Sequence, residues 1–155
     1  MDDARTPILV GAGQITQREQ DPAKAMKPID LIAEAGRAAA ADSGAGPAIL
    51  KALDAIVQLR AFADTSWRFK SPFGGPSNPP KSLAARLGAD RAKRLIYTHA
   101  GGNMPQWSIN RLSEMVVRGE IETAMVIGGE ARATQKAAQR AGLDLAGNED
   151  AGGAP

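Results

Sequence analysis

The chain has no cysteine and a single histidine, His99, among its 155 residues. The absence of cysteine excludes disulfides, thiolate zinc sites and thiol catalysis. A single histidine also excludes a metal site built from several histidines of one chain. We therefore expect no metal, and any chemistry of this chain must proceed without a sulfur nucleophile.

Long apolar runs and blocks of one charge are missing too. No run approaches the roughly 20 residues that a membrane-spanning helix needs, and residues 1–3 lack the features of a signal peptide. The net charge is only +2, and the basic residues are scattered, which argues against a dedicated nucleic-acid surface. With 43% hydrophobic and 23% charged residues, the composition is that of a folded domain, and we expect a cytoplasmic protein.

Residues 94–118 have the pattern of a strand, a small-residue turn and a helix. The apolar run at 95–98 predicts a buried strand, and apolar residues at three- and four-residue steps predict an amphipathic helix: Ile109, Leu112, Met115 and Val116. Such a junction gathers turn N–H groups and the positive end of a helix at one point, where enzymes hold nucleophiles or anions. Between His99 and Gln106 there is no Ser, Cys or Thr, so this is an elbow without a nucleophile.

Strand and helix patterns alternate along the rest of the chain. Apolar runs that end in small residues predict further strands within residues 5–16 and 123–130, and the apolar residues Ile56, Val57 and Leu59 predict one at 53–59. Helices are predicted at residues 28–42, 81–87 and 131–141. This order predicts an α/β fold, a mostly parallel sheet with helices on both faces. Ligands of such sheets bind at the carboxyl ends of the strands.

Gly11 and Gly13 allow a second interpretation of the first predicted strand. They match the start of the G-x-G-x-x-G loop that binds dinucleotides, but Thr16 occupies the third glycine position, and Pro22 follows where a helix should begin. A glycine turn after a buried strand is the favoured interpretation. A nucleotide-binding oxidoreductase module remains an alternative.

Residues 60–80 combine Trp67, Phe69 and Phe73 with many prolines and glycines. This composition predicts a long ordered loop, which is either functional, packed on a partner, or a lid over the domain's own core. Stacking on single-stranded nucleic acid is the least favoured alternative. After Leu145 no strand or helix is predicted, so the sheet is expected to lack a closing strand. We expect a fragment, or a chain that completes itself by association.

Four segments resemble thiolases: TPILVGAGQ at 6–14, WRFKSPFGGP at 67–76, HAGGNMPQ at 99–106, and RGE at 118–120 followed by VIGGE at 126–130. The chain is similar to the N-terminal half of this superfamily, and in particular to the sterol-carrier-protein-x-like and thiolase-like type 1 group called acetyl-CoA acetyltransferases. The resemblance implies a thiolase-like N-terminal α/β domain over residues 1–130. Residues 131–155 would be the truncated start of a loop region.

The resemblance also places the family's catalytic cysteine at Gly102. Glycine cannot attack a thioester, and the family's remaining catalytic groups belong to a C-terminal half that this sequence does not contain. No catalytic residue is therefore assigned, and His99 is interpreted as structural. Gly101 and Asn103 are expected to contact a thioester oxyanion if one is bound.

Coenzyme A or acyl-CoA is the ligand that the resemblance implies, with no covalently bound cofactor. In the family, the region that holds the nucleotide begins after the fourth strand. Arg132, Lys136 and Arg140 lie there, roughly on one helix face. Phosphate contact is one interpretation of this face, and an ordinary solvated face is the favoured one.

The family's dimers pair the strand before the elbow with its twofold mate. A homodimer is thus predicted through Leu95, Ile96, Tyr97 and Thr98, and a separately encoded C-terminal thiolase half is a second predicted partner. Three functions remain open: an acyl-CoA-binding protein that lacks thiolase catalysis, a non-catalytic interaction half-subunit, and the oxidoreductase module.

Overall fold

The computed structural model describes residues 5–154. The prediction for residues 1–3 falls outside this range, as do the outermost residues of the predicted ranges 1–130 and 131–155. Within it, the helices are α1 (Pro28–Asp42), α2 (Pro47–Ala52), α3 (Pro79–Leu87), α4 (Met104–Val117) and α5 (Arg132–Arg140), and the strands are β1 (Ala55–Gln58), β2 (Arg94–Tyr97) and β3 (Ala124–Ile127). None of these helices is long and apolar enough to cross a membrane.

The three strands form one parallel sheet in the order β2-β1-β3. Val57 on the central strand lies opposite Ile96 on one side and Val126 on the other. The strands predicted at 53–59, 95–98 and 123–130 are therefore confirmed, each as a four-residue segment. Because successive β-strands in sequence are parallel, the helices between them act as the crossovers that the α/β pattern requires.

Helices cover both faces of the sheet, as predicted. On one face, α3 packs on β1 and β2 and α1 packs on α3 and β3, and Ile32, Ile56 and Leu83 belong to one buried core. On the other, α4 packs through Leu112 and Met115 against Val57, the next residue along the same strand. Ile56 and Val57 are both almost fully buried because neighbouring side chains of a strand point to opposite faces, and here both faces are covered.

The strand predicted within residues 5–16 is wrong. The structure places no strand there, and Ile8 and Leu9 are 76% and 88% exposed. The backbone around the glycines instead lies directly on α1, where a Cβ on Gly13 would come within 2.3 Å of the Ala39 nitrogen. The apolar run has strand propensity, but the glycine contact with a helix decides where the segment lies.

That contact also explains Gly11 and Gly13 without a nucleotide. A Cβ on Gly11 would lie 2.4 Å from the Ala39 carbonyl oxygen, and the Ala12 N–H donates to the Asp42 carboxylate at 2.9 Å. No strand precedes the two glycines in the described residues, and α1 begins only at Pro28. The context that the dinucleotide fingerprint requires is therefore missing.

The predicted helices are confirmed with small shifts at their ends. α1 has the predicted bounds and starts with Pro28, whose missing N–H costs nothing in the first turn. α3 begins two residues before the prediction, at Pro79, and ends at Leu87, where Gly88 caps the helix with a left-handed φ of 65°. The short helix α2, which starts at Pro47, was not predicted, because a six-residue helix between a glycine turn and a strand is too short to show a periodic apolar pattern.

The last described segment has no helix or regular strand, as predicted, but it is tied to the loop before α3. Four backbone hydrogen bonds join the two segments: Leu145 N to Pro72 O, Gly147 N to Phe73 O, Glu149 N to Gly75 O and Ser77 N to Glu149 O, with lengths from 2.8 to 3.3 Å. The side chain of Glu149 adds bonds to Arg86 and Ser82 of α3. The segment therefore belongs to the folded unit.

Candidate functional site

Three segments meet at the carboxyl edge of the sheet, one after each strand. The Arg60 N–H, after β1, donates to the Thr98 hydroxyl, after β2, at 3.1 Å. The Phe62 N–H donates to the carboxylate of Glu130, after β3, at 2.6 Å. The segments that carry the predicted site residues are thus fixed to one another at the edge where open α/β sheets bind ligands.

The predicted elbow is a turn between β2 and α4. The Met104 N–H donates to Gly101 O at 3.0 Å, and the Trp107 N–H donates to Asn103 O at 3.0 Å. Within residues 5–154, no acceptor takes the N–H groups of Gly101, Gly102 or Asn103, and the Asn103 side chain does not cap the helix. Three N–H groups and the positive end of a 14-residue helix are therefore available to an external oxyanion.

The two glycines of this turn differ in the space around them. A Cβ on Gly102 would meet no atom within 4 Å, whereas a Cβ on Gly101 would lie 2.8 Å from the Asn103 side-chain oxygen. Both glycines are exposed, and the turn supplies no hydroxyl or thiol. Gly102, the position that the resemblance assigns to the nucleophile, thus has room for a side chain but carries none.

His99 lies beyond the end of β2 and is exposed. Its backbone oxygen accepts a hydrogen bond from the Thr98 hydroxyl at 2.8 Å. Within the described residues its imidazole makes no hydrogen bond. No group of three or more potential metal-ligating side chains occurs in that part of the chain either.

A polar cluster that the sequence did not reveal anchors the loop after β1. The Arg60 guanidinium donates to Thr98 O at 2.9 Å and lies 4.5 Å from the centre of the Tyr97 ring. The Tyr97 hydroxyl donates to the Asp64 carboxylate, and burial followed by this bond raises the pKa of Tyr97. Tyr97 therefore stays neutral and serves as a donor. The sequence signal that could have revealed this cluster is the presence of the polar residues Arg60 and Thr98 just after two strands.

The aromatic loop packs against the start of α5 through two 3-10 turns, Phe62–Asp64 and Trp67–Phe69. The rings of Phe62 and Phe69 lie 4.4 Å apart between centres, and the Arg132 guanidinium lies 4.8 Å from the Phe62 ring. Phe73 is buried in the domain, whereas Trp67 is 81% exposed. One part of the loop is thus core and the other is surface.

Between this loop and α5 lies a cavity of about 100 Å³, here called the basic cavity. Its lining comes from both elements: Phe62, Ala63, Arg68, Phe69, Arg132, Gln135, Lys136 and Gln139. The structure brings Arg132 and Lys136 of the predicted basic face together at this cavity. Arg140 is not part of the lining. The participation of Arg68, Phe62 and Phe69 was not predicted, because sequence spacing does not relate a loop to a distant helix.

The predicted dimer strand lies at an edge of the sheet. β2 pairs with β1 on one side, and in the described part of the chain no strand pairs with its other side. Leu95, Ile96 and Tyr97 are partly exposed, and Thr98 is buried. This position permits pairing with a second strand and does not by itself show that such a pair forms.

No protein-family profile matches the chain, and no curated protein matches it. Among solved structures, it is similar to the crystal structure of a monomeric SCP2-thiolase like protein type 1 from Mycobacterium smegmatis, with 29% sequence identity and a TM-score of 0.66. The match covers 83% of this chain and 24% of that one, so the chain spans about a quarter of that protein's length. Because that protein is described as monomeric, the likeness does not support the homodimer prediction.

Proposed function

We propose that this chain, which has the thiolase-like fold of that SCP2-thiolase-like protein, binds acyl-CoA at the carboxyl edge of its sheet and performs no acyl transfer by itself. The observation that carries the proposal is the elbow: unpaired N–H groups at residues 101–103 before α4, with an unobstructed glycine where the family's nucleophile would stand. A thiolase-like fold alone does not specify a ligand, so the site has to supply the argument.

The hydrogen-bond donors of the elbow suit the negative charge that develops on a thioester oxygen. Turn N–H groups and the start of α4 stabilise negative charge, and the Asn103 side chain adds an amide donor. Acyl transfer additionally needs a nucleophile to form a covalent intermediate, and neither Gly101 nor Gly102 can provide one. We therefore propose that the chain binds the thioester but lacks the nucleophile that would form a covalent bond to its acyl group.

The nucleotide end of the ligand is assigned to the basic face of α5. Arg132 and Lys136 line the basic cavity at the same edge of the sheet as the elbow, and they suit the phosphates of coenzyme A. Arg140 lies outside the lining and is expected to contribute less. If removing these charges has no effect on ligand binding, the basic face of α5 is an ordinary solvent-exposed helix face.

Calorimetric titration of the folded 155-residue chain with CoA and with acetyl-CoA tests the proposal. We expect saturable one-to-one binding of both ligands and no acetyl transfer to an added thiol acceptor. Circular dichroism of the same sample controls for folding. A folded chain that releases no binding heat with either ligand contradicts the proposal.

A second function, a non-catalytic interaction half-subunit, is favoured by the surface of the chain. The outer edge of β2 is open, and several large apolar side chains are 39% exposed or more, among them Ile8, Leu9, Val10, Trp107 and Ile109. Exposed apolar patches mark interaction surfaces in soluble proteins. We expect light scattering to give a mass above 16.1 kDa, either alone or with the partner that supplies the rest of the thiolase unit. A monomer that unfolds cooperatively excludes this function.

A further inference from the structure

We infer that the outer face of α4 is a dimer interface, on which α4 of a second copy of this chain packs in the antiparallel direction. The inference rests on the second proposed function, the interaction half-subunit, and names both its surface and its partner. It does not depend on acyl-CoA binding, because the elbow precedes α4 and lies outside this face.

The outer face of α4 has the spacing of a helix-packing seam. The helix buries Ser108, Leu112 and Met115 against the sheet. Four residues on its opposite side follow one another at steps of four, three and four positions: Gln106, Asn110, Ser113 and Val117. Alternating steps of three and four bring one side of a helix repeatedly to the same partner helix, as in coiled coils. These four residues are here called the seam.

The middle of the seam is a shallow depression. It has a volume of about 540 Å³, and its lining comes from α4: Asn110, Ser113, Glu114, Val117 and Arg118. Within residues 5–154 no other element contributes to this lining. Short side chains between longer ones leave a hole of the kind that a side chain of a facing helix fills.

Large apolar side chains lie in the seam and on either side of it. Val117 is 47% exposed, and Trp107 and Ile109 on the two flanks are 49% and 48% exposed. A helix face that only meets water carries polar residues instead. Three exposed apolar side chains on one helix therefore indicate a surface that packs against another protein surface.

Antiparallel packing makes the seam complementary to itself. When Gln106 lies opposite Val117 of the second copy, Asn110 lies opposite Ser113 of the second copy, because both pairs are centred on the same point of the helix. The amide of Asn110 and the hydroxyl of Ser113 can each donate and accept a hydrogen bond. The two polar residues at the centre are thus paired with each other when they become buried.

The flanking side chains are complementary in the same arrangement. Arg111 comes next to Glu114 of the second copy, and Ile109 comes next to Val116 of the second copy. In the single chain, Arg111 donates to Glu114 at 3.1 Å, so both charges already lie on one flank. Parallel packing would instead set Glu114 against Glu114 and bring the positive ends of both helices together, which is unfavourable. Charge complementarity therefore selects a second copy in the antiparallel direction.

Charge reversal tests the contact between the copies. We expect analytical ultracentrifugation of the full chain to show a concentration-dependent dimer. Arg111→Glu and Glu114→Arg each set like charges against each other twice, so each should weaken dimerisation about tenfold. An equimolar mixture of the two variants restores opposite charges between the copies and should dimerise within about threefold of the original chain. Pairing within one chain cannot produce this restoration.

Lys51→Glu is the matched control for net charge. Lys51 is exposed on α2, and its reversal changes the net charge as much as Arg111→Glu does. It should change dimerisation less than twofold, and circular dichroism checks the fold of every variant. Equal weakening by Lys51→Glu overturns the inference, and so does a mixture that dimerises no better than the single variants.

Cysteine crosslinking reads the direction of the two helices. The chain has no cysteine, so Gln106→Cys and Val117→Cys each introduce a single thiol. In the antiparallel pair, position 106 adjoins position 117 of the second copy, whereas the two positions 106 are about 16 Å apart along the axis, at ~1.5 Å per residue. A mixture of the two variants should form the mixed disulfide at least tenfold faster than either variant links to itself. Self-linking at an equal rate overturns the inference.

Two outcomes separate the inference from the functions proposed above. A dimer that forms unchanged in Arg111→Glu and Glu114→Arg overturns the inference and leaves the half-subunit function standing, since another surface then joins the copies. A chain that stays monomeric and unfolds cooperatively overturns both. Acyl-CoA binding is decided by the calorimetric titration and not by either outcome.

Discussion

Arg86 on α3 donates hydrogen bonds to both carboxylate oxygens of Glu149, at 3.2 and 2.8 Å, across 63 positions of sequence. The same guanidinium donates to Asp30 of α1 at 2.7 Å. One side chain thus joins two helices and the last described segment. This arrangement explains why a glycine-rich ending with no regular structure still packs on the domain.

Glu149→Gln should make the stability less dependent on pH. Hydrogen bonds from Arg86 and Ser82 lower the pKa of Glu149 below its ordinary value of about 4.3, so the ionised form stabilises the folded state at neutral pH. This contribution is complete above the unfolded-state pKa and is lost as pH falls through the folded-state pKa. Discounted for solvent screening of a side chain 36% exposed, we expect a loss of about 1 kcal/mol at pH 7.

Urea unfolding at pH 7 and at successively lower pH measures this difference. The two proteins should approach equal stability as the pH falls through the lowered pKa of Glu149, because its carboxylate is then protonated in the folded state as well. Glu122→Gln is the matched control, since that carboxylate makes no side-chain bond in the described structure and should leave stability within about 0.5 kcal/mol. A loss that stays constant across this pH range contradicts the assignment.

Gly13→Ala should destabilise the fold, since the new methyl group would lie 2.3 Å from the Ala39 nitrogen and 2.5 Å from the Ala35 oxygen. These are backbone atoms of α1 and cannot rotate away, so we expect a loss of about 1–3 kcal/mol in thermal or urea unfolding. Gly75→Ala is the control: its methyl group would meet nothing within 4 Å, and Gly75 has no positive φ. It should be neutral or slightly stabilising. Equal effects of the two changes would show that the glycine segment does not rest on α1.

Asp54→Ala should weaken the junction of all three strands. The Asp54 carboxylate accepts the N–H groups of Glu122 and Thr123 at 2.9 and 3.2 Å, and the first of these bonds is the main reason that its pKa is lowered. Both N–H groups donate to the same Asp54 oxygen, and loss of this shared acceptor should cost about 1–3 kcal/mol of unfolding free energy. Asp54→Asn keeps one acceptor oxygen and should lose less. Equal losses in the two variants would contradict a role for these hydrogen bonds.

Much of the fold followed from the sequence because the central elements carry local signals. Short apolar runs marked β1, β2 and β3, and Pro28 and Gly88 marked a helix start and a helix end. The segment containing Ile8 gave the same apolar signal and is not a strand. Local propensity does not reveal whether a neighbouring strand is present to pair with, so this element was predicted incorrectly.

The candidate site was predictable only in part, for a related reason. The elbow at residues 101–103 is contiguous in sequence, and so is the basic face of α5. The contact of Arg132 with the Phe62 ring and the bond between Arg60 and Thr98 join segments that are far apart in the chain. Such contacts depend on the packed arrangement of all three strands, which periodicity and composition do not specify.

If bound acyl-CoA presents its thioester to the elbow, a cysteine introduced by Gly102→Cys should become acetylated. The chain has no other cysteine, and a Cβ at position 102 would meet no atom within 4 Å. The introduced thiolate attacks the acetyl carbonyl, the bond from that carbon to the CoA sulfur breaks, and CoA leaves as its thiolate. Ala41→Cys, exposed on α1, is the control for reactivity in solution.

Intact-mass analysis during incubation with acetyl-CoA follows the gain of one acetyl group. We expect Gly102→Cys to be acetylated at least about tenfold faster than Ala41→Cys, with a rate that saturates in acetyl-CoA, because the thioester is bound next to the N–H groups of residues 101–103. Equal rates in the two variants, rising linearly with acetyl-CoA concentration, would contradict it.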